Sequence, residues 1–196
     1  MIGIITIFIA RVSALTETDI KKIVALSTLR QLGLIFVAVG ANIRNYAFFH
    51  LLIHAYFKAV IFIAVGNSIH LRIDYQDLRK LRLTPISAPV SFSVVFLSNI
   101  RLIGMPFMSG FFSKDLIIEQ IANRIDSLLI LILIVISVLF TALYAIRFIL
   151  MVFFHRQSFT VHSLASEFSK DFFISVRILR LLTITGGSLL SSSLLM

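Results

Sequence analysis

The run Ala47–Ile69 (AFFHLLIHAYFKAVIFIAVGNSI) is long and apolar enough to cross a bilayer, yet it carries His50, His54 and Lys58. Ionisable side chains at membrane depth are costly, so three on one segment signal function before any motif is considered. Positions i, i+4 and i+8 share one helix face, each roughly 6 Å further along the axis. Imidazole, imidazole and amine at that spacing make a ladder of proton-exchanging groups. A lysine near a span end would instead snorkel to the interface, but Lys58 falls near the middle.

Composition agrees with a membrane chain. Hydrophobic residues make up 59%, charged residues 14%, and mean hydropathy is +1.02. The expected fold class is all-α, a polytopic transmembrane helix bundle in a lipid bilayer. Nothing resembles a cleavable signal peptide, because no basic stretch precedes the first apolar run and such runs recur to the end. The formal charge is +9 and the pI about 10.5. The basic residues sit mostly between apolar runs, where they set topology, so nucleic acid is not the expected partner. There is no cysteine, which removes disulfides and the thiolates of a conventional iron–sulfur cluster.

About six membrane elements are expected within a single membrane domain, 1–196. The first, Ile2–Leu15, is short and is followed by a polar hinge, Thr16–Lys22. The second runs from about Ile23 to Asn42, with a tight connection around Arg44 and Asn45 leading to the histidine-bearing third. The fourth begins near Ile86 and meets a proline between two glycines at Gly104-Met105-Pro106-Phe107-Met108-Ser109-Gly110, then resumes over Phe111–Ala122. Proline removes a backbone donor and glycine admits an unwound path, so this reads as one broken helix facing protein or a wet cavity. The fifth element spans Leu128–Phe154. A polar connecting segment, 155–171, precedes the last run, Phe172–Met196. If all six cross, Lys21, Lys22, Arg72, Arg79, Lys80, Arg82, Arg156 and Lys170 share the matrix or cytoplasmic side, against Arg44 and Arg124 opposite.

Lys114 follows the broken helix in Phe111-Phe112-Ser113-Lys114-Asp115. Two readings stand: a lysine hydrated from a cavity beside unwound backbone, or an interfacial Lys–Asp pair at a helix start. Lys21 and Lys22 follow Asp19 and place cations at a helix N-terminus, against the macrodipole; topology or a proton relay would explain them. Arg30, Arg101 and Arg147 interrupt apolar runs and read as ion-pair or hydrogen-bond anchors, because guanidinium stays charged. Glu119 and Asp126 are candidate partners. No phosphate loop, nucleophile arrangement or metal-ligand cluster is present in the sequence.

Three stretches carry a resemblance. Thr18-Asp19-Ile20-Lys21-Lys22-Ile23-Val24-Ala25-Leu26-Ser27-Thr28 with Gln31-Leu32-Gly33, His50-Leu51-Leu52-Ile53-His54-Ala55-Tyr56-Phe57-Lys58-Ala59, and Gly104-Met105-Pro106-Phe107 with Gly110-Phe111-Phe112-Ser113-Lys114-Asp115 resemble the antiporter-like proton-pumping subunits of respiratory complex I. Ile117-Ile118-Glu119 and Thr141-Ala142-Leu143-Tyr144-Ala145-Ile146-Arg147 also fit. The likeness implies a multi-pass protein of the mitochondrial inner membrane. It implies a non-redox subunit that carries part of a proton path coupled to electron transfer from NADH to ubiquinone. NADH, FMN, iron–sulfur clusters and ubiquinone are then expected in partner subunits, with no cofactor bound by this chain. It further implies that Lys58 belongs to a central polar axis and that Lys114 stands at the outlet-side break. His50 and His54 would serve the hydrated path between them, and Lys21 would be a further axis candidate.

The resemblance covers about residues 1–150 well and the tail poorly. The family's upstream broken helix, with its glutamate–lysine pair, and its long lateral helix have no counterpart in this sequence. Arg30 and Arg101 stand where the family usually has small or uncharged residues. The chain is therefore expected to be one piece of a split subunit, its other half supplied by a separate chain, or a reduced or decayed product. A related cation/proton antiporter subunit and a non-pumping structural bundle are the alternatives.

Overall fold

A computed structural model describes residues 2–71, 76–78, 88–105, 108–124, 128–154 and 176–177. Among them the elements are α1 (Ile2–Thr16), α2 (Ile20–Gly40), α3 (Arg44–His70), α4 (Pro89–Ile103), α5 and α6. Helix α5 starts as a π-helical turn, Phe111–Asp115, and continues as Leu116–Arg124; α6 (Leu128–Ile149) runs into a second π-helical turn, Leu150–Phe154. No strand occurs among the described residues; one isolated bridge pairs Asp19 with Asp77.

Several boundaries differ from expectation for local reasons. Helix α2 opens at Ile20 because Asp19 is extended (φ −76°, ψ 120°), so the hinge shrinks to 17–19 and Lys21 and Lys22 lie inside the first helical turn. It closes at Gly40, where Ile43 N–H donates to Ala38 O at 2.9 Å and Asn42 takes the left-handed conformation (φ 60°). Asparagine tolerates that region better than most residues, which makes Asn42 the turning residue. Arg44 and Asn45 are then the first residues of α3. Pro89 supplies the fixed φ of a helix start and opens α4. Ile86, Pro106, Phe107 and the segment 155–171 lie outside the described residues; of the expected last run only Val176 and Arg177 are described, both helical.

Helices α2 and α3 are long and apolar enough to cross a membrane, with mean hydropathy of 1.8 and 1.9. The 27 residues of α3 extend about 40 Å, beyond the ~30 Å of hydrocarbon. The helices close a ring in which α1 packs on α2, α2 on α3, α3 on α4, α4 on α6 and α6 on α1, while α5 rests against α3. Gly3 and Gly33 bring α1 and α2 together: a Cβ at Gly3 would lie 2.8 Å from Gly33 O, and one at Gly33 would lie 2.6 Å from Ile7 Cγ1. Small residues at such crossings let helix backbones approach closely in a membrane.

On one rim the hinge after α1 is tied to the loop after α3, by Ile20 N–H to Gln76 O (3.0 Å) and Leu78 N–H to Thr18 O (2.9 Å). Arg147 of α6 clamps the same rim, donating to Ala14 O (3.2 Å), Leu15 O and Glu17 O (3.4 Å) at the end of α1. Arg147 is thus a hydrogen-bond anchor for carbonyls that a helix end leaves unsatisfied.

Candidate functional site

The periodicity of α3 puts His50, His54 and Lys58 on one buried face, and Lys58 is only 5% exposed. Opposite them runs α2. Two antiparallel helices keep spacing, so an i, i+4 pair on one can serve an i, i+4 series on the other. Ser27 and Gln31 are that pair. Lys58 Nζ donates to Val24 O (3.1 Å) and to Ser27 Oγ, while His50 Nε2 lies 3.3 Å from Gln31 Oε1. An ammonium out of water needs such acceptors, because burying it unpaired is far costlier than burying a neutral polar group.

The broken helix approaches from the other side. Helix α4 ends at Ile103, where Gly104 adopts φ +93° and its N–H bonds Arg101 O at 3.1 Å. The helix resumes by Gly110, which is pressed so closely on the Arg101 carbonyl that a Cβ there would collide with it. The wide π turn that follows directs both Ser113 and Lys114 inward. Turns of this kind recur at functional sites, since the extra residue re-aims the side chains around it. Ser113 Oγ lies 3.0 Å from His50 Nδ1. Lys114, 4% exposed, donates to Ile103 O at 3.2 Å, a cation at the negative end of α4. The half-buried Asp115 carboxylate lies over Gly104, whose absent Cβ would be 3.3 Å from Oδ2.

Lys58, His54, His50, Ser113 and Lys114 therefore form one buried row from the middle of α3 to the break between α4 and α5. His54 is its incomplete step. Its ring stacks on His50 at 6.1 Å and meets Phe57 edge-on at 5.0 Å, but its Nε2 has no hydrogen-bond partner among the described residues. A proton moving along the row needs a water or a ring rotation there.

Lys21 stands apart: it is exposed in the first turn of α2 and makes no part of the row. Its neighbour Lys22 is 63% exposed and pairs with Asp19 (2.9 Å) and Glu17 (3.9 Å), two carboxylates that offset the unfavourable placement of cations at a helix start. Arg30 and Arg101 are buried, Glu119 is exposed, and Asp126 lies outside the described residues. Ser27, Gln31, Ser113 and the buried Arg11 of α1 were not singled out as working groups by the sequence. A serine and a glutamine four apart on the helix before the histidines were the available signal for the first two.

The transmembrane domain described as NADH:quinone oxidoreductase/Mrp antiporter matches residues 1–141. The chain belongs to that family. As a member of the antiporter-like family it is similar to NADH-ubiquinone oxidoreductase chain 5 of Patiria pectinifera, 36% identical over 98% of this chain and 30% of that protein. The same-named protein of Sus scrofa is 35% identical over 98% of this chain and 32% of its own length, and that of Pelomedusa subrufa 44% identical over 74% and 24%. The chain thus spans about a third of the length of the curated relatives it matches. A chain in the structure of the membrane-bound sulfane sulfur reductase, an archaeal respiratory membrane complex, has the same fold. Its TM-score is 0.82 at 23% identity, over 97% of this chain and 38% of that one.

Proposed function

We propose that this antiporter-like chain is a membrane-arm component of NADH:ubiquinone oxidoreductase and carries part of its proton-translocation path. The path is the row Lys58, His54, His50, Ser113 and Lys114. The observation that carries this reading is the 3.0 Å contact of His50 Nδ1 with Ser113 Oγ, which joins the ladder of α3 to the helix bearing Lys114. A hydroxyl both donates and accepts, so Ser113 can pass a proton between the imidazole and the break beside Lys114 without holding charge. In this reading the chain sits in the mitochondrial inner membrane beside other membrane-arm subunits, with a separate chain supplying the inlet half of the path. The redox chemistry, with its NADH, FMN, iron–sulfur clusters and ubiquinone, belongs to partner subunits.

The test is Lys58→Ala in the assembled complex, read as proton pumping and as NADH oxidation linked to quinone reduction. Both fall while the complex still assembles. Wild-type rates in both would end the proposal and leave a structural bundle. The family description also covers Mrp antiporters, which supports a second reading, a cation/proton antiporter subunit. Co-purification with flavin and iron–sulfur subunits favours the first; sodium-dependent proton flux without them favours the second.

A further inference from the structure

Arg11 of α1 and Arg30 of α2 line one small cavity of about 10 Å³, together with Ser27 and with Tyr144 of α6. Both arginines are buried, at 6% and 4% exposure. Arg11 Nε and Nη1 and Arg30 Nη2 have no hydrogen-bond partner among the described residues. The Arg30 guanidinium sits 5.6 Å from the Tyr144 ring centroid. That cation–π contact engages the guanidinium face and leaves N–H edges free to bond. No carboxylate among the described residues is buried, whereas the buried titratable side chains there, Tyr144 apart, are all basic. Two like charges withdrawn from water with open donors need an anion, not merely an acceptor.

We propose that Arg11 and Arg30 form a binding site for a small monovalent anion of about the size of chloride. The cavity has room for roughly one water-sized centre, which a monatomic anion suits and a carboxylate-bearing molecule exceeds. A water alone would meet the donors but bring no charge. The free N–H groups of the two arginines hold the ion, and Tyr144 and Ser27 complete the wall. This site depends on the packing of α1, α2 and α6, and it touches the proton row only at Ser27, the hydroxyl that also accepts from Lys58.

The experiment melts the full chain in lipid nanodiscs in sodium gluconate, chloride or bromide at equal ionic strength. Halide is expected to raise the melting temperature saturably, by about 2–4 °C. Arg11→Ser and Arg30→Ser should each remove that increment and melt above wild type in gluconate, because an uncompensated charge has gone. Arg44→Ser, outside the cavity, should keep the increment. Bromide should give an anomalous scattering peak between the two guanidinium groups. Equal melting of wild type in all three salts overturns the site, and is the result expected if a water or a carboxylate from elsewhere fills it. A halide increment retained in Arg30→Ser overturns it equally. If either arginine variant fails to fold, the wild-type salt comparison and the bromide position decide.

Discussion

The imidazole of His50 bridges two helices, with Ser113 Oγ 3.0 Å from Nδ1 and Gln31 Oε1 3.3 Å from Nε2. One ring thereby links α2, α3 and the π turn of α5. Since Gln31 Oε1 can only accept, Nε2 carries the proton of a neutral ring, and Nδ1 is then the acceptor for the Ser113 hydroxyl.

That polarity makes Ser113 separable from packing. Ser113→Ala should cut coupled proton pumping by about tenfold, equivalent to ~1.4 kcal/mol in the limiting step, while Ser113→Thr retains most of it. Pumping per NADH oxidised, measured in liposomes holding the assembled complex, is the readout. An alanine variant as efficient as wild type would take Ser113 out of the path.

Gly104 carries φ +93°, a region that costs other residues about 1–2 kcal/mol. Gly104→Ala also pushes a methyl towards the Asp115 carboxylate at 3.3 Å. The variant should lose roughly 1–3 kcal/mol in denaturant titration and slow turnover of the assembled complex. Unchanged stability would show that the break relaxes freely.

Gly33→Val places a branched side chain where a Cβ alone lies 2.6 Å from Ile7 and 3.0 Å from Gly3 O. Overpacking of that kind costs about 1–3 kcal/mol. Crosslinking between cysteines introduced on α1 and α2 should drop as the helices separate. Wild-type crosslinking would mean that α1 simply shifts along its groove.

Arg147→Gln removes a charged donor shared by the carbonyls of Ala14, Leu15 and Glu17. Hydrogen bonds to charged groups contribute about 1.5–3 kcal/mol, so the last turn of α1 should fray. Hydrogen exchange at residues 13–17 should quicken, with α3 unaffected; equal exchange in both would show that α1 needs no anchor.

What the sequence disclosed was what one helix contains. The i, i+4, i+8 series of His50, His54 and Lys58 and the stop at Gly104 are local properties, fixed by helical period and by glycine's freedom. The partners of those groups are not local. Ser27 meets Lys58, and Gln31 meets His50, only because Asn42 turns α2 back against α3 in one register. Arg11 gave no sign at all, since its burial depends on α1, α2 and α6 closing together. The membrane-element boundaries shifted by a few residues wherever a single residue, Asp19 or Pro89, settled the backbone geometry. Lys21 enters through its place after Asp19 at a helix start and through the family resemblance, and its exposure is a matter of where the helix starts.

Helix α5 lies against the bundle through Ile117 and Ile121, in an oily cluster with Ile7, Leu34 and Ala47. Oily contacts have no preferred direction, so sliding along them is cheap, whereas the bond from Ser113 to His50 is directional and short. A slip of about 1 Å along that seam would sever the link and leave the hydrocarbon packing nearly intact. The chain thus joins, at one seam, packing that tolerates a small displacement to a single contact that does not.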